Sequence, residues 1–107
     1  MSGNKNGSHW IRDEKRQRIY ERDKFRCLYC GKYCADRPTR TLDHVVPRER
    51  GGGNEATNLA TACLPCNREK EGQTLEQYVP DDDRRHLIYD QLQVPLRAAA
   101  PAIRTAG

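Results

Sequence analysis

Cys27-Leu28-Tyr29-Cys30 and Cys63-Leu64-Pro65-Cys66-Asn67 decide how this chain is read. Two Cys-x-x-Cys pairs offer four thiolates, the donor set of a closed tetrahedral zinc site. The 32 residues between Cys30 and Cys63 exceed the roughly 15–20 of a simple zinc ribbon, so the insert is expected to be a structural unit of its own. It carries Asp43, His44 and Asn58, and Asn67 follows the last cysteine. Asn58 and Asn67 stand 14 and 23 residues beyond His44. With the cysteines given to a scaffold, the Asp, the His and the two Asn are left for different work.

The count of five cysteines in 107 residues excludes a fully paired disulfide framework within one chain. Metal ligation in a reducing compartment suits the spacing better. Cys34, four residues past Cys30, has no partner pair and reads as a free thiol. A chain of this length holds one domain at most. Its mean hydropathy of -1.00 and 32% charged residues leave little apolar material for a core. A structural zinc would compensate, because closing a site from two distant pairs converts metal-binding free energy into folding free energy.

The formal net charge is only +4, but residues 1–50 carry 13 Lys/Arg against 7 Asp/Glu, whereas residues 51–107 carry 6 against 8. The basic half is where a polyanion would lie; the same charges also suit a solvated helix face. No apolar run approaches the roughly 18 residues of a spanning helix. The first residues are Gly/Asn/Ser-rich rather than an apolar signal segment, so an intracellular, cytoplasmic protein is expected.

Residues 10–24 place Ile11, Ile19 and Tyr20 at roughly helical spacing among charged residues, which predicts an amphipathic helix. Residues 25–31 form a knuckle, with Gly31 supplying backbone freedom. Residues 39–46 predict a short strand ending before Pro47. Gly51-Gly52-Gly53-Asn54 predicts a loop over 48–58. Residues 59–62 predict a second strand, and a helix follows with Pro65 in its first turn and Gly72 as its stop. Residues 83–93, bearing Leu87, Ile88 and Leu92, predict a C-terminal helix. The domain is expected over 10–93, between a flexible segment 1–9 and a disordered tail 94–107.

A neutral imidazole can take a proton from water near pH 7, and Asp43 beside it is a hard oxygen ligand suited to Mg²⁺, with Asn67 a second. A lone His is more often packed or solvated than catalytic, an Asn after a Gly-rich loop is often a turn residue, and a surface Lys is usually only hydrated. Adjacent residues of an ideal strand also point to opposite faces, so Asp43 and His44 could share one site only if a bulge or sharp twist intervened beside Pro47.

In order and spacing, Cys27-Leu-Tyr-Cys30, Leu42-Asp43-His44-Val45-Val46-Pro47, the Gly51-Gly52-Gly53 loop, Asn58-Leu59 and Cys63-Leu-Pro-Cys66-Asn67-Arg-Glu-Lys70 resemble the HNH endonucleases in their four-cysteine, zinc-stabilised form. The resemblance implies an α+β fold: a ββα-metal core of a short two-stranded hairpin plus helix, with flanking N- and C-terminal helices. It implies metal-dependent hydrolysis of DNA, double-stranded for preference, by nicking or low-specificity cleavage to a 5′-phosphate and a 3′-hydroxyl. His44 becomes the general base. Asp43 and Asn67 become ligands of one catalytic Mg²⁺ or Mn²⁺, and Asn58 holds the loop so that His44 stays oriented. Lys70 becomes a phosphate contact, with Arg48 and Arg50 as further nucleic-acid candidates. Asn67 stands where the family's name has a second His. A homodimer would allow double-strand cleavage. The competing readings are a non-catalytic zinc module that binds nucleic acid or protein, and an accessory subunit active only in a phage or mobile-element assembly.

Overall fold

A computed structural model describes residues 11–97. The expected flexible segment 1–9, Trp10 at the start of the predicted helix and residues 98–107 of the expected tail lie outside them.

Helix α1 (Asp13–Arg22) begins with Asp13 and Glu14, which complement the helix dipole, and buries Ile19, Tyr20 and Arg22. It is shorter than the 10–24 stretch of helical pattern. Lys24 and Phe25 stop it by adopting left-handed backbone, with φ of 57° and 61°, a conformation uncommon without glycine. Two such residues in succession swing the chain out of α1 into the knuckle. There the amides of Cys27 and Gly31 donate to Lys32 O and Cys27 O, both at 2.8 Å.

Strands β1 (Arg40–His44) and β2 (Leu59–Cys63) pair antiparallel, with Arg40 opposite Cys63 and His44 opposite Leu59. Each strand is within a few residues of its sequence expectation. Every residue of β2 is buried, and its alternation divides the interior. Leu59 joins Ile11, Ile19, Tyr20 and Leu42 in one cluster. Ala60, Ala62 and, at the end of the strand, Cys63 belong to the other, with Cys27, Tyr29, Cys34, Val45, Leu75, Val79, Ile88 and Leu92. Leu96, inside the expected tail, packs against the first cluster.

Helix α2 (Leu64–Lys70) starts directly from β2, with proline in its first turn; Gly72, at φ 73°, takes the chain away. A one-turn helix α3 (Leu75–Tyr78) follows, which the sequence reading did not anticipate. Thr74 and Gln77 close it as a reciprocal capping box. Helix α4 (Asp82–Leu92) is capped by the Asp81 carboxylate on the amides of Asp83 and Arg84. It buries Ile88 and Leu92, while Leu87 is 69% exposed: residues four apart share a helix face and neighbours do not. The result is the expected α+β architecture: a two-stranded hairpin, helices and a four-cysteine cluster.

One buried ion pair ties these pieces together. The side chains of Arg22 and Asp23 are both 0% exposed, with Arg22 Nε 2.7 Å from Asp23 Oδ1. The Arg22 guanidinium also donates to Ala56 O at 2.8 Å and Leu59 O at 2.7 Å. Asp23 Oδ2 accepts the Thr61 amide at 3.0 Å, and the Gln91 side chain donates to Arg22 O and Asp23 Oδ1. The end of α1, strand β2, the turn before it and α4 thus meet on one charge pair. Replacing Arg22 by Met leaves Asp23 buried without a countercharge and should cost about 3–5 kcal/mol. Arg18→Ala, which breaks only the exposed pair with Glu14, should cost under about 1 kcal/mol. Denaturant midpoints at equal metal loading measure both, and equal shifts would refute the account.

Candidate active site

The sulfurs of Cys27, Cys30, Cys63 and Cys66 all lie within 4.8 Å of one another, with Cys30 Sγ and Cys63 Sγ 3.8 Å apart. A tetrahedral ion with metal–sulfur bonds of about 2.3 Å has sulfur–sulfur edges of about 3.8 Å, so the cluster fits one structural metal such as zinc. Burial pushes the Cys27 thiol up to about 11 and raises Cys66 as well. Without a cation these two stay protonated, and binding must expel their protons. Cys34 is buried in the core, donates weakly to Lys32 O at 3.5 Å, and is not part of the sulfur cluster.

Next to this cluster, the end of β1 and the face of α2 border an open cleft of about 860 Å³, lined by Asp43, His44 and Asn67 among others. Of the bulge or sharp twist expected beside Pro47, no bulge is present, since the ladder runs unbroken to His44 opposite Leu59, but the backbone does turn just before the proline. The strand ends at His44 and the chain bends at 45–46. Asp43 and His44, the last two residues of the strand, both line the cleft.

Asp43 Oδ2 accepts two hydrogen bonds, from the Tyr29 hydroxyl at 2.6 Å and from Lys70 Nζ at 3.0 Å. Asn67 Nδ2 donates to Thr41 Oγ1 at 2.9 Å and Leu42 O at 3.2 Å. Each side chain is thus oriented by one end. Among the described residues nothing donates to Asp43 Oδ1 or Asn67 Oδ1, two hard oxygens of the kind Mg²⁺ takes from protein while keeping waters and phosphate oxygens as its other ligands.

Lys70 needs correction as a phosphate contact. Its side chain is 1% exposed, and its ammonium donates to His44 O at 3.1 Å, Val45 O at 3.0 Å and Asp43 Oδ2. An ammonium has three protons, and all three are engaged. Lys70 is an internal strut that fastens the end of α2 to the end of β1 and neutralises Asp43. Tyr29, a residue sequence reasoning passed over as filler of the first Cys-x-x-Cys, completes the arrangement. Burial, and then the Asp43 charge beside it, hold its phenol well above the ordinary value, so it stays a donor.

The loop over residues 48–58 contains two short 3-10 turns, Arg48–Arg50 and Ala56–Asn58, rather than being wholly irregular. Asn58 clamps it: Oδ1 accepts the Val46 amide at 2.8 Å, and Nδ2 donates to Val46 O at 3.1 Å and Gly53 O at 2.9 Å. A Cβ on Gly52 would stand 1.7 Å from Val46 O, so only glycine admits this closure. Asn54, another residue not singled out from sequence, has its Oδ1 2.8 Å from His44 Nε2. An amide oxygen only accepts, so this contact selects the tautomer with the proton on Nε2 and the lone pair on Nδ1. Lys15 of α1 in turn donates to Asn54 O at 2.6 Å. The signal for Asn54 was its place at the tip of the Gly run, ten residues past His44. Arg48 is exposed on the cleft. Arg50 does not line it and spends its Nε on Gly72 O at 3.0 Å, bracing the loop.

The family model of the HNH endonucleases matches residues 27–73, a segment holding all four cluster cysteines with Asp43, His44, Asn58 and Asn67. No curated protein matches the chain. No helix among the described residues is long and apolar enough to cross a membrane.

Stripping the metal with a strong chelator should collapse the cooperative unfolding transition, read by circular dichroism. Cys34→Ser should keep the wild-type metal stoichiometry, whereas Cys63→Ser should lose it; loss of one equivalent from the Cys34 variant would overturn the ligand set. Lys70→Met should lower stability by about 3–5 kcal/mol by stranding Asp43. A Lys70 variant of wild-type stability would return that residue to the surface role.

Proposed function

With an HNH domain at residues 27–73, we propose that the protein is a metal-dependent endonuclease hydrolysing DNA phosphodiester bonds, by nicking or low-specificity cleavage. The observation that carries this reading is His44, turned by Asn54 on its Nε2, on the same cleft as the unengaged oxygens of Asp43 and Asn67. A bare structural module would have no use for that combination.

In this mechanism Asp43 and Asn67 would hold one Mg²⁺ or Mn²⁺ ion, which when bound supplies charge neutralisation at the phosphoryl and leaving oxygens. His44 Nδ1 takes a proton from water as the water oxygen attacks phosphorus in line. The bond from phosphorus to the 3′-oxygen breaks, leaving a 5′-phosphate and a 3′-hydroxyl once that oxygen takes a proton from solvent. Asn54 keeps the Nε2–H tautomer through the step and accepts from the imidazolium that forms. Asn58 holds the loop that presents Asn54. Lys70 and Tyr29 hold Asp43 still through its Oδ2, and Arg48 at the mouth meets phosphate. Zinc on the four cysteines would anchor α2, hence Asn67, and cysteines kept reduced for a metal suit the reducing cytoplasm. One site cuts one strand, so cutting both strands of a duplex takes two copies or two encounters.

Supercoiled plasmid should be nicked by the zinc-loaded protein when Mg²⁺ or Mn²⁺ is added, and His44→Ala should abolish the reaction. Asn54→Ala should lower kcat by about 10–100-fold, the range for a residue that orients a catalytic side chain through a hydrogen bond, with KM little changed. Folded, zinc-replete protein that binds DNA but cleaves in neither metal, with binding indifferent to His44→Ala, would instead establish a non-catalytic module.

A further inference from the structure

A second cleft, of about 500 Å³, adjoins the first and shares Leu42, Leu64 and Arg68 with it. Its walls bring together Arg16, Arg37, Arg40 and Arg68 with a single carboxylate, Asp13. Asp13, Arg16 and Tyr20 come from α1, outside the segment the family model covers. This cleft is therefore a feature that α1 adds to the domain.

The four guanidiniums are not equivalent. Arg40 is committed internally, donating to Cys34 O at 3.2 Å and Ala35 O at 2.6 Å and lying 4.9 Å above the Tyr20 ring. Arg16 reaches the Tyr20 hydroxyl at 3.4 Å. Arg37 and Arg68 are exposed, and neither forms an ion pair with a described residue. Elsewhere on the surface arginine does find carboxylates, as Arg18 finds Glu14 and Arg85 finds Asp82. Gathering four positive charges around one negative costs self-repulsion that a bound polyanion removes. Between the charges the lining is apolar, with Pro38, Leu42 and Leu64. Charged rim and apolar floor together match a sugar–phosphate chain, whose phosphates seek guanidinium and whose sugars do not.

We propose that the second cleft seats the DNA backbone on one side of the scissile phosphate, with Arg68 as the hinge between the two clefts and Arg37 as the outer phosphate contact. The proposal rests on the nuclease reading for its substrate. It extends that reading from the reacting phosphate to the strand that leads away from it, and assigns α1 the task of shaping its path. Backbone contact of this kind holds a strand without reading its bases.

The test is DNA binding by the full-length, zinc-loaded His44→Ala protein, measured with a fluorescent duplex over a series of salt concentrations. Adding Arg37→Ala and Arg68→Ala should weaken binding and reduce the slope of log affinity against log salt by about 2, one unit per lost phosphate contact. Lys32→Ala with Arg97→Ala removes the same formal charge from residues that line neither cleft and should leave the slope nearly unchanged. Equal metal content and circular dichroism establish that all proteins are folded. An unchanged slope in the Arg37/Arg68 variant, an equal loss in the control pair, or no salt-dependent binding by the parent overturns the proposal. Salt-dependent binding through these arginines with no plasmid cleavage by the wild-type protein overturns the hydrolase reading alone.

Discussion

Joining Cys27 and Cys30 to Cys63 and Cys66 sets the position of almost everything that matters in this molecule. The first pair sits in a knuckle whose turn is closed by backbone hydrogen bonds, and the second ends β2 and opens α2. Holding four sulfurs within 4.8 Å therefore fixes α2 against the knuckle. Asn67, one residue past Cys66, arrives beside β1, and Tyr29, between the first two cysteines, arrives under Asp43. A chain this hydrophilic cannot hold such an arrangement by burial alone. A metal bound there would turn its binding free energy into positional free energy for the cleft next door.

That coupling passes through polar contacts in the interior. Tyr29 and Lys70 converge on one oxygen of Asp43, and Lys70 also ties the carbonyls of His44 and Val45. Desolvating an ammonium and a carboxylate is costly, and the pair persists because every proton of the ammonium is satisfied. What this arrangement supplies is geometry: β1 ends at a defined point relative to α2, with the other oxygen of Asp43 left on the cleft. On the far side of the domain Arg22 and Asp23 play the corresponding part, seating α1 and α4 against β2. Two buried charge pairs and one metal cluster thus do what a larger apolar core does in bigger domains.

The helix α1 emerges as more than a lid on the second core cluster. Lys15 reaches the backbone of Asn54, whose side chain meets His44, and Arg16 enters the basic cleft. Both contacts link an element outside the matched segment to the residues inside it. The segment matched by the HNH family model carries the cleft-lining Asp, His and Asn, while the flanking helix supplies their surroundings.

Much of the fold was legible in the order of residues. Cys-x-x-Cys spacing, a Gly run, prolines beside strand and helix ends, and a helical recurrence of apolar residues are local signals, and each reports the backbone where it stands. They announced the metal cluster, the hairpin, α2 and the flanking helices, although Thr74 and Gln77 at α3 were readable as a cap and went unread. Local signals could not say what Lys70, Arg22 or Leu87 would do, because a charged or apolar side chain is defined by what surrounds it after folding. Lys70 looked like surface and is buried against three acceptors; of the three apolar residues named on the C-terminal helix, Leu87 is exposed while Ile88 and Leu92 are buried. Nor could they locate Asn54 against His44, or bring Arg37 and Arg68 to one cleft, across 10 and 31 residues of chain. The sequence by itself determined which segments form which elements and which four thiols are set to share a metal. Only the tertiary structure decided which charges are buried, which are left facing solvent, and which side chains meet, since desolvation and pairing depend on distances that no spacing along the chain encodes.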